Sequence, residues 1–345
     1  MMLSRLRRWF ARARDNSQPA PGRAPKSDAR EGTASSDAVR GGDGTEPLLS
    51  ERELSSRYCA GLFATRHQSE GSPGPEERAW LREHRERLME DPTAFTARVP
   101  RLPRIAPRLM ATLRDPEQYG SKEIAKMVES DPVLAGNMLK VVNSPSVRPN
   151  RKEIVSIEQA VTILGNRGMR EVVAAAIISP IAQFGQDRRL NSEGLRQIWP
   201  ETLQTAMNVK VGARHIGGGV EGFALHLSAL THSSGLMVLL RNLDTLEVPT
   251  VSSGFIDELE SLARNASVAI AQHWDFDEDS VRMLQGWADS DRSTLETALL
   301  IDAIGFTRIN NLCRRGELGS SSCQAYLDAL PRFANEWKTS PSEPG

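Results

Sequence analysis

Apolar residues recur at helical spacing through most of this chain, and no stretch alternates convincingly as a strand. The clearest pattern runs from Glu129 to Gly168. Asp131 stands where a helix cap belongs, ahead of Pro132, and proline at a first helical position loses no needed N–H. Val133, Leu134, Met138, Leu139 and Val142 then fall on one apolar face. Asn143-Ser144-Pro145 stops that helix, because proline cannot continue it. A basic loop from Arg148 to Lys152 follows. Ser156 caps a second helix with Ile157, Ala160, Val161 and Leu164 inward, and Gly165 and Gly168 end it.

The same spacing predicts helices on either side. Upstream, Ser50 to Phe63 turns Leu54, Tyr58, Leu62 and Phe63 to a partner surface. After a break from Glu70 to Pro75, Pro75 to Met89 does so with Trp80, Leu81, His84 and Leu88. Pro103 to Arg114 points Ile105, Leu109, Met110 and Leu113 inward, and Ser121 caps a helix through Glu129. Downstream, Met169 to Phe184 is apolar enough for deep burial, with Pro180 kinking or ending it. Ser192 to His215 is long, amphipathic and interrupted by Pro200, and Gly217 to Gly219 break the chain after it. Further helices are predicted near 221–230, 235–243, 256–274, 280–288, 293–314 and 321–337.

Composition changes this picture mainly at the ends. Asp15 to Pro47 is rich in Gly, Pro, Ser and charge and reads as a linker. Met1 to Arg14 holds five arginines and no acid, with Leu3, Leu6, Trp9 and Phe10 able to share a face. It reads either as the frayed start of a disordered tail or as a weak membrane-surface contact. The expected organisation is a disordered tail over residues 1–49, a helical extension over 50–98, a main domain over 99–315, and a C-terminal helix and tail over 316–345. A net charge of −1 gives no electrostatic case for nucleic acid as a partner. Cys59, Cys313 and Cys323 are too few and too scattered for a disulfide framework, which suggests a reducing compartment. No run of about eighteen apolar residues appears, so no membrane-spanning helix is expected.

The paired central helices resemble the core signature of the HDOD family, D-P-x-L, a leucine-rich helix ending in N-S, then S-I-x-x-A-(I/V)-x-x-L-G. The matching residues are Asp131, Pro132, Leu134, Leu139, Asn143, Ser144, Ser156, Ile157, Ala160, Val161, Leu164 and Gly165. The resemblance covers roughly Arg101 to Arg314 and implies an all-α, multi-helix bundle similar to the HD-type phosphohydrolases. Those enzymes need a His on one helix, an adjacent His-Asp pair on another and a later Asp, because a water-activating metal takes several protein ligands and keeps positions open.

The resemblance places the corresponding positions at Glu201, His232, Ser233 and Asp302. Glu201 stands where the first His belongs, in Ile198-Trp199-Pro200-Glu201. His232 is kept, but Ser233 replaces the Asp beside it, and serine is a poor ligand. Asp302 matches the last Asp. These four are therefore expected to be remnants, with no metal, cofactor or catalytic residue assigned. The plain structural role for His232 is a buried, hydrogen-bonded helix-terminal residue, with Asp302 its partner or an exposed helix residue.

Other candidates are weaker. His273-Trp274 precedes an acidic run at residues 275–279 that lacks the central glycine and twelfth-position glutamate of a calcium loop. His215 reads as a helix C-terminal residue favoured by the dipole. Arg148, Arg151, Lys152, Arg167 and Arg170 form either an anion contact or an ordinary solvated surface. The resemblance implies a regulatory, non-enzymatic protein of bacterial signal transduction, cytoplasmic, acting through a protein partner or ligand. The alternative is a metal-dependent phosphohydrolase acting on a nucleotide or phosphoester.

Overall fold

The computed structural model describes residues 50–90, 106–114, 119–147, 152–182, 187–216 and 222–329. The expectations for residues 1–14 and 15–47, and for Ile105, Arg148, Arg151, Gly217 to Gly219 and Trp337, lie outside these. Local chemistry sets most helix starts. In α1 (Glu51–Ala60) the Ser50 hydroxyl accepts from the Glu53 N–H at 3.2 Å, and Glu53 accepts from the Ser50 N–H at 2.6 Å. Leu54, Tyr58, Leu62 and Phe63 are buried as their spacing predicts, and α2 (Pro75–Glu90) buries Trp80, Leu81, His84 and Leu88. Helices α3 (Ala106–Arg114) and α4 (Ser121–Glu129) follow. The cap of α4 is Gly120; Ser121, expected there, is its first helical residue.

Asp131 caps α5 (Pro132–Val142), accepting from the N–H groups of Val133 at 3.0 Å and Leu134 at 3.1 Å. Val133 leaves the predicted apolar face and is 70% exposed. It lies at i−4 and i−7 from Asn137 and Lys140, on the polar side of the helix. Asn143 ends the helix and clamps the far side of the basic loop. Its amide donates to the Ile154 carbonyl and accepts from the Ile154 N–H, both at 2.8 Å. Ser156 caps α6 (Ile157–Ile178), whose two arms meet at Gly165. Gly165 has φ +64° and ψ −172°, a conformation open to glycine and costly for other residues. The chain bends there and resumes helix at once, so Gly168 lies inside the second arm and ends nothing. That arm buries Met169 and Glu171 through Ile178, and Pro180 closes it in a short 3₁₀ turn over Ser179–Ala182.

Pro200 does not interrupt α7 (Ser192–Ile216). Both Pro200 and Arg196, whose carbonyl loses its helical donor, are exposed, so the missing bond falls on the solvent side. Then come α8 (Gly222–Thr231), α9 (Ser234–Asn242), α10 (Ser253–His273), α11 (Glu278–Ala288), α12 (Leu295–Arg314) and α13 (Ser320–Ala329). The stretch Gly222–Thr245 is apolar enough to cross a membrane by composition, yet 94% of its most apolar part is buried inside the protein. It forms α8 and α9, the innermost helices. One pair of strands contradicts the strand-free expectation: β1 (Gln68–Ser69) runs parallel to β2 (Val251–Ser252), pairing Gln68 with Val251. Two residues per strand are too short to show alternation.

The core gathers α4 against α6, α5 against α6, α7 between α8 and α12, and α9 against α10. Gly235 sets the last approach. A Cβ there would lie 2.1 Å from the Ala263 carbonyl, and its N–H donates to Ser267 at 3.0 Å. Helix α1 lies on α10 and α12, and α2 on α10, so residues 50–90 cover the main helices. The cysteine expectation needs correction. Cys313 and Cys323 form a disulfide, because the turn between α12 and α13 brings their Cα atoms to 6.0 Å. That pairing removes the ground for expecting a reducing compartment. Cys59 is free and buried.

Candidate functional site

Three polar residues interrupt the apolar face of α1. Glu51, Ser55 and Tyr58 sit at helical spacing, and all three point at the main helices. Arg264 of α10, 6% exposed, receives two of them: it donates to Glu51 at 2.9 Å and to Ser55 at 2.8 Å. It also donates to Glu260 at 2.9 Å and to the Trp287 carbonyl at 3.1 Å, with its guanidinium 5.1 Å from the centre of the Trp287 ring. Arg308 of α12 donates to Ser55 and, at 3.3 Å, to Glu260, and stands 5.0 Å over the Tyr58 ring. Ser55 thus accepts from two guanidinium groups.

Of the four remnant positions, only the adjacent His232 and Ser233 are bonded to each other; Glu201 and Asp302 border this network apart from them. The Tyr58 hydroxyl donates to Glu201 of α7 at 2.6 Å, and burial pushes the Glu201 carboxyl up to about 7. Asp302 of α12 accepts from Arg292 at 2.7 Å, and burial, opposed by that guanidinium, still raises its carboxyl to about 6. Arg292 in turn lies 4.0 Å from Glu51. Asp302 is therefore buried and paired with Arg292, and is not the partner of His232.

His232 ends α8, buried as its structural role predicts. Its Nδ1 donates to the Ala229 carbonyl at 2.6 Å, and the Ser233 hydroxyl donates to Nε2 at 2.9 Å, a tautomer assigned from those partners. The ring meets Trp287 edge-on, with centroids 5.7 Å apart. Burial, reinforced by the positive charge of Arg308, lowers His232 to about 3 and keeps it neutral.

These side chains do not fit the metal that HD-type chemistry implies. Both His232 nitrogens are engaged within the chain, Asp302 faces a guanidinium, and two further buried arginines flank the imidazole. Among the described residues no three His, Cys, Asp or Glu side chains gather into a ligand set. Three cations, Arg264, Arg292 and Arg308, instead face Glu51, Glu260 and Asp302. A buried network of this kind holds only while every partner is present, because an unpaired charge in the interior is costly.

The signature residues do local structural work. Asp131 and Ser156 cap, Asn143 clamps the loop, Ile157 is buried, Gly165 makes the bend, and Ser144 donates to the Val141 carbonyl at 2.7 Å. Arg167 pairs with Glu171 at 3.2 Å, and Arg170 lies 4.6 Å over Phe223 and donates to the Leu113 carbonyl. Both are engaged internally, and Lys152 is exposed. The acidic run supplies Asp277 as the cap of α11. Glu51, Ser55, Glu260, Arg264, Arg292 and Arg308 escaped sequence reading, and Tyr58 was legible only as part of the apolar stripe of α1. The available signal was a Glu-Arg pair four apart, Glu260 and Arg264, in an otherwise apolar helical face.

The HDOD domain profile matches residues 99–287. No curated protein matches the chain. Among solved structures, one from Shewanella amazonensis, provisionally named a metal-dependent phosphohydrolase, aligns at 19% identity. It covers 74% of this chain and 89% of its own, with a TM-score of 0.53. An HDOD domain protein of unknown function from Geobacter sulfurreducens aligns at 20% identity over 69% and 79% of the two chains, TM-score 0.48. A chain from Marinobacter aquaeolei, provisionally named a signal transduction protein, aligns at 18% identity over 76% and 62%, TM-score 0.49. With the profile spanning more than half of the sequence and its signature residues in place, this chain belongs to the HDOD family.

Proposed function

We propose that this chain is a non-catalytic regulatory module of bacterial signal transduction, acting in the cytoplasm through a protein partner. In this reading its own helix α1 fills the cleft in which an HD-type enzyme would assemble its metal. One observation carries it: Glu201, His232, Ser233 and Asp302 are each hydrogen-bonded within the chain, and α1 supplies Tyr58 to Glu201 and Glu51 to the arginine beside Asp302. A closed helical cleft is still a usable surface for recognition after catalysis is lost. Nucleic acid has no place in the proposal, and residues 1–14 enter it only as a weak contact with a membrane surface. The location and the partner class rest on the family resemblance.

Elemental analysis of the purified full-length protein, with and without added manganese, iron or zinc, tests the reading. The expected result is no stoichiometric metal and no phosphate released from nucleotide or phosphoester substrates. Near-stoichiometric metal that falls in His232→Ala, together with phosphate release, would replace this reading with the metal-dependent phosphohydrolase.

A further inference from the structure

A cavity of about 340 Å³ opens on the other side of Glu201, between the Ser144-Pro145-Ser146 loop, α7 and the end of α12. Its polar groups divide by depth. Asn311, 2% exposed, and Glu201, 8% exposed, lie in its wall. Both amide atoms of Asn311 and one carboxyl oxygen of Glu201 find no hydrogen-bond partner among the described residues. Buried polar atoms are rarely left so, and three at one cavity mark a place where a bound group completes the bonding. Asn137 and Asn310 add two half-buried carboxamides, and the half-buried Trp199 adds a flat apolar wall. At the exposed mouth stand Lys140 and Arg314, neither with an ion pair among the described residues.

A carboxamide offers a donor and an acceptor side by side, the complement of the edge of a heteroaromatic base. An indole face accepts such a ring by stacking. Two cations at the mouth suit a phosphate, which can stay partly in water while the ring enters. A volume near the lower end of the usual range for ligand sites suits one small molecule. We infer that this cavity is a binding site for a mononucleotide, its base against Asn311, Glu201 and Trp199 and its phosphate between Lys140 and Arg314. The site lies outside the network around His232 and does not require α1 to move, so it stands or falls separately from the non-catalytic reading.

Titration of the full-length protein with AMP and GMP, followed by calorimetry and by tryptophan fluorescence, tests the assignment. One of the two nucleotides is expected to bind at one per chain, at least about tenfold tighter than its nucleoside, while inorganic phosphate alone does not saturate. Lys140→Ala and Arg314→Ala, both at exposed positions that leave folding intact, are each expected to weaken binding about tenfold. Asn311→Ala is expected to weaken nucleoside and nucleotide alike. The inference is overturned if neither nucleotide binds at millimolar concentration, if inorganic phosphate binds as well as they do, or if binding is unchanged in the Lys140→Ala, Arg314→Ala double variant. Metal content and phosphate release are not read in this experiment, so its failure leaves the test of catalysis untouched.

Discussion

Glu201 joins two elements through one carboxyl group, and its protonation is part of the fold. Burial raises it from the ordinary 4.5 to about 7. The folded chain therefore holds this proton more tightly than the unfolded chain does. The stabilisation is fully present below about pH 4.5 and is lost as the pH rises through about 7. Glu201→Gln removes the titration while keeping a polar side chain of the same size. Between pH 5 and pH 8 the wild-type chain is expected to lose about 2.5 kcal/mol of stability relative to that variant. Urea unfolding of both proteins across this range measures it; parallel stability curves would contradict it. His232 works in the opposite sense. Its lowered value, about 3 against 6.5, contributes stability that is lost as the pH falls below 6.5, and both proteins share it. At this scale the sequence was readable where chemistry is local. The Asp131 and Ser156 caps depend on neighbours two or three residues away. The Tyr58–Glu201 bond joins residues 143 positions apart and leaves no trace in local spacing.

Among elements, α1 shows how far periodicity reaches. Leu54, Tyr58, Leu62 and Phe63 were legible as a buried stripe because burial of apolar surface dictates spacing. Glu51 and Ser55 carried no such mark, since a polar residue on an amphipathic helix ordinarily faces water. The burial of Ser55 and the half-burial of Glu51 follow from Arg264 and Arg308, which arrive from α10 and α12. The exceptions in the other direction are also physical. Pro200 is tolerated within α7 where the orphaned carbonyl is exposed, and Gly165 bends α6 without ending it. Arg264 makes the network cooperative, so its removal should cost far more than loss of a surface pair. Arg264→Ala leaves Glu51, Ser55 and Glu260 short of a donor and is expected to destabilise the fold by about 3–5 kcal/mol. Arg85 and Glu258 also bridge α2 and α10, at 3.4 Å, but both are about half exposed. Arg85→Ala is expected to change stability by less than about 1 kcal/mol. Chemical denaturation of the two variants compares them directly; equal losses would show that the buried network does not hold α1 in place.

Across the whole molecule, the first and last described helices meet. Leu54 of α1 packs in one small cluster with Ile309 and Leu312 of α12, Leu318, and Tyr326 of α13. Helix α1 is therefore braced from the C-terminal side as well. Cys313 and Cys323 fasten that brace, being ten residues apart in sequence and half-buried in the same cluster. A cross-link over so short a loop still restricts the unfolded chain, by about 3 kcal/mol in the chain-entropy view. Reduction should free α13 first and loosen the support behind α1. A melting temperature lower by roughly 4–6 °C in reductant is the expected consequence, since each kcal/mol moves a chain of this size by about 1.5 °C. Thiol counting decides whether the premise holds. Burial raises the Cys59 thiol to about 12, so the folded, unreduced protein should show almost no reactive thiol. Denatured without reductant it should show one thiol per chain, and after reduction three. Three thiols before reduction would mean that the bond is open in the purified protein. α13 would then be held by Leu318, Tyr326 and their neighbours alone, and reductant would leave the melting temperature unchanged.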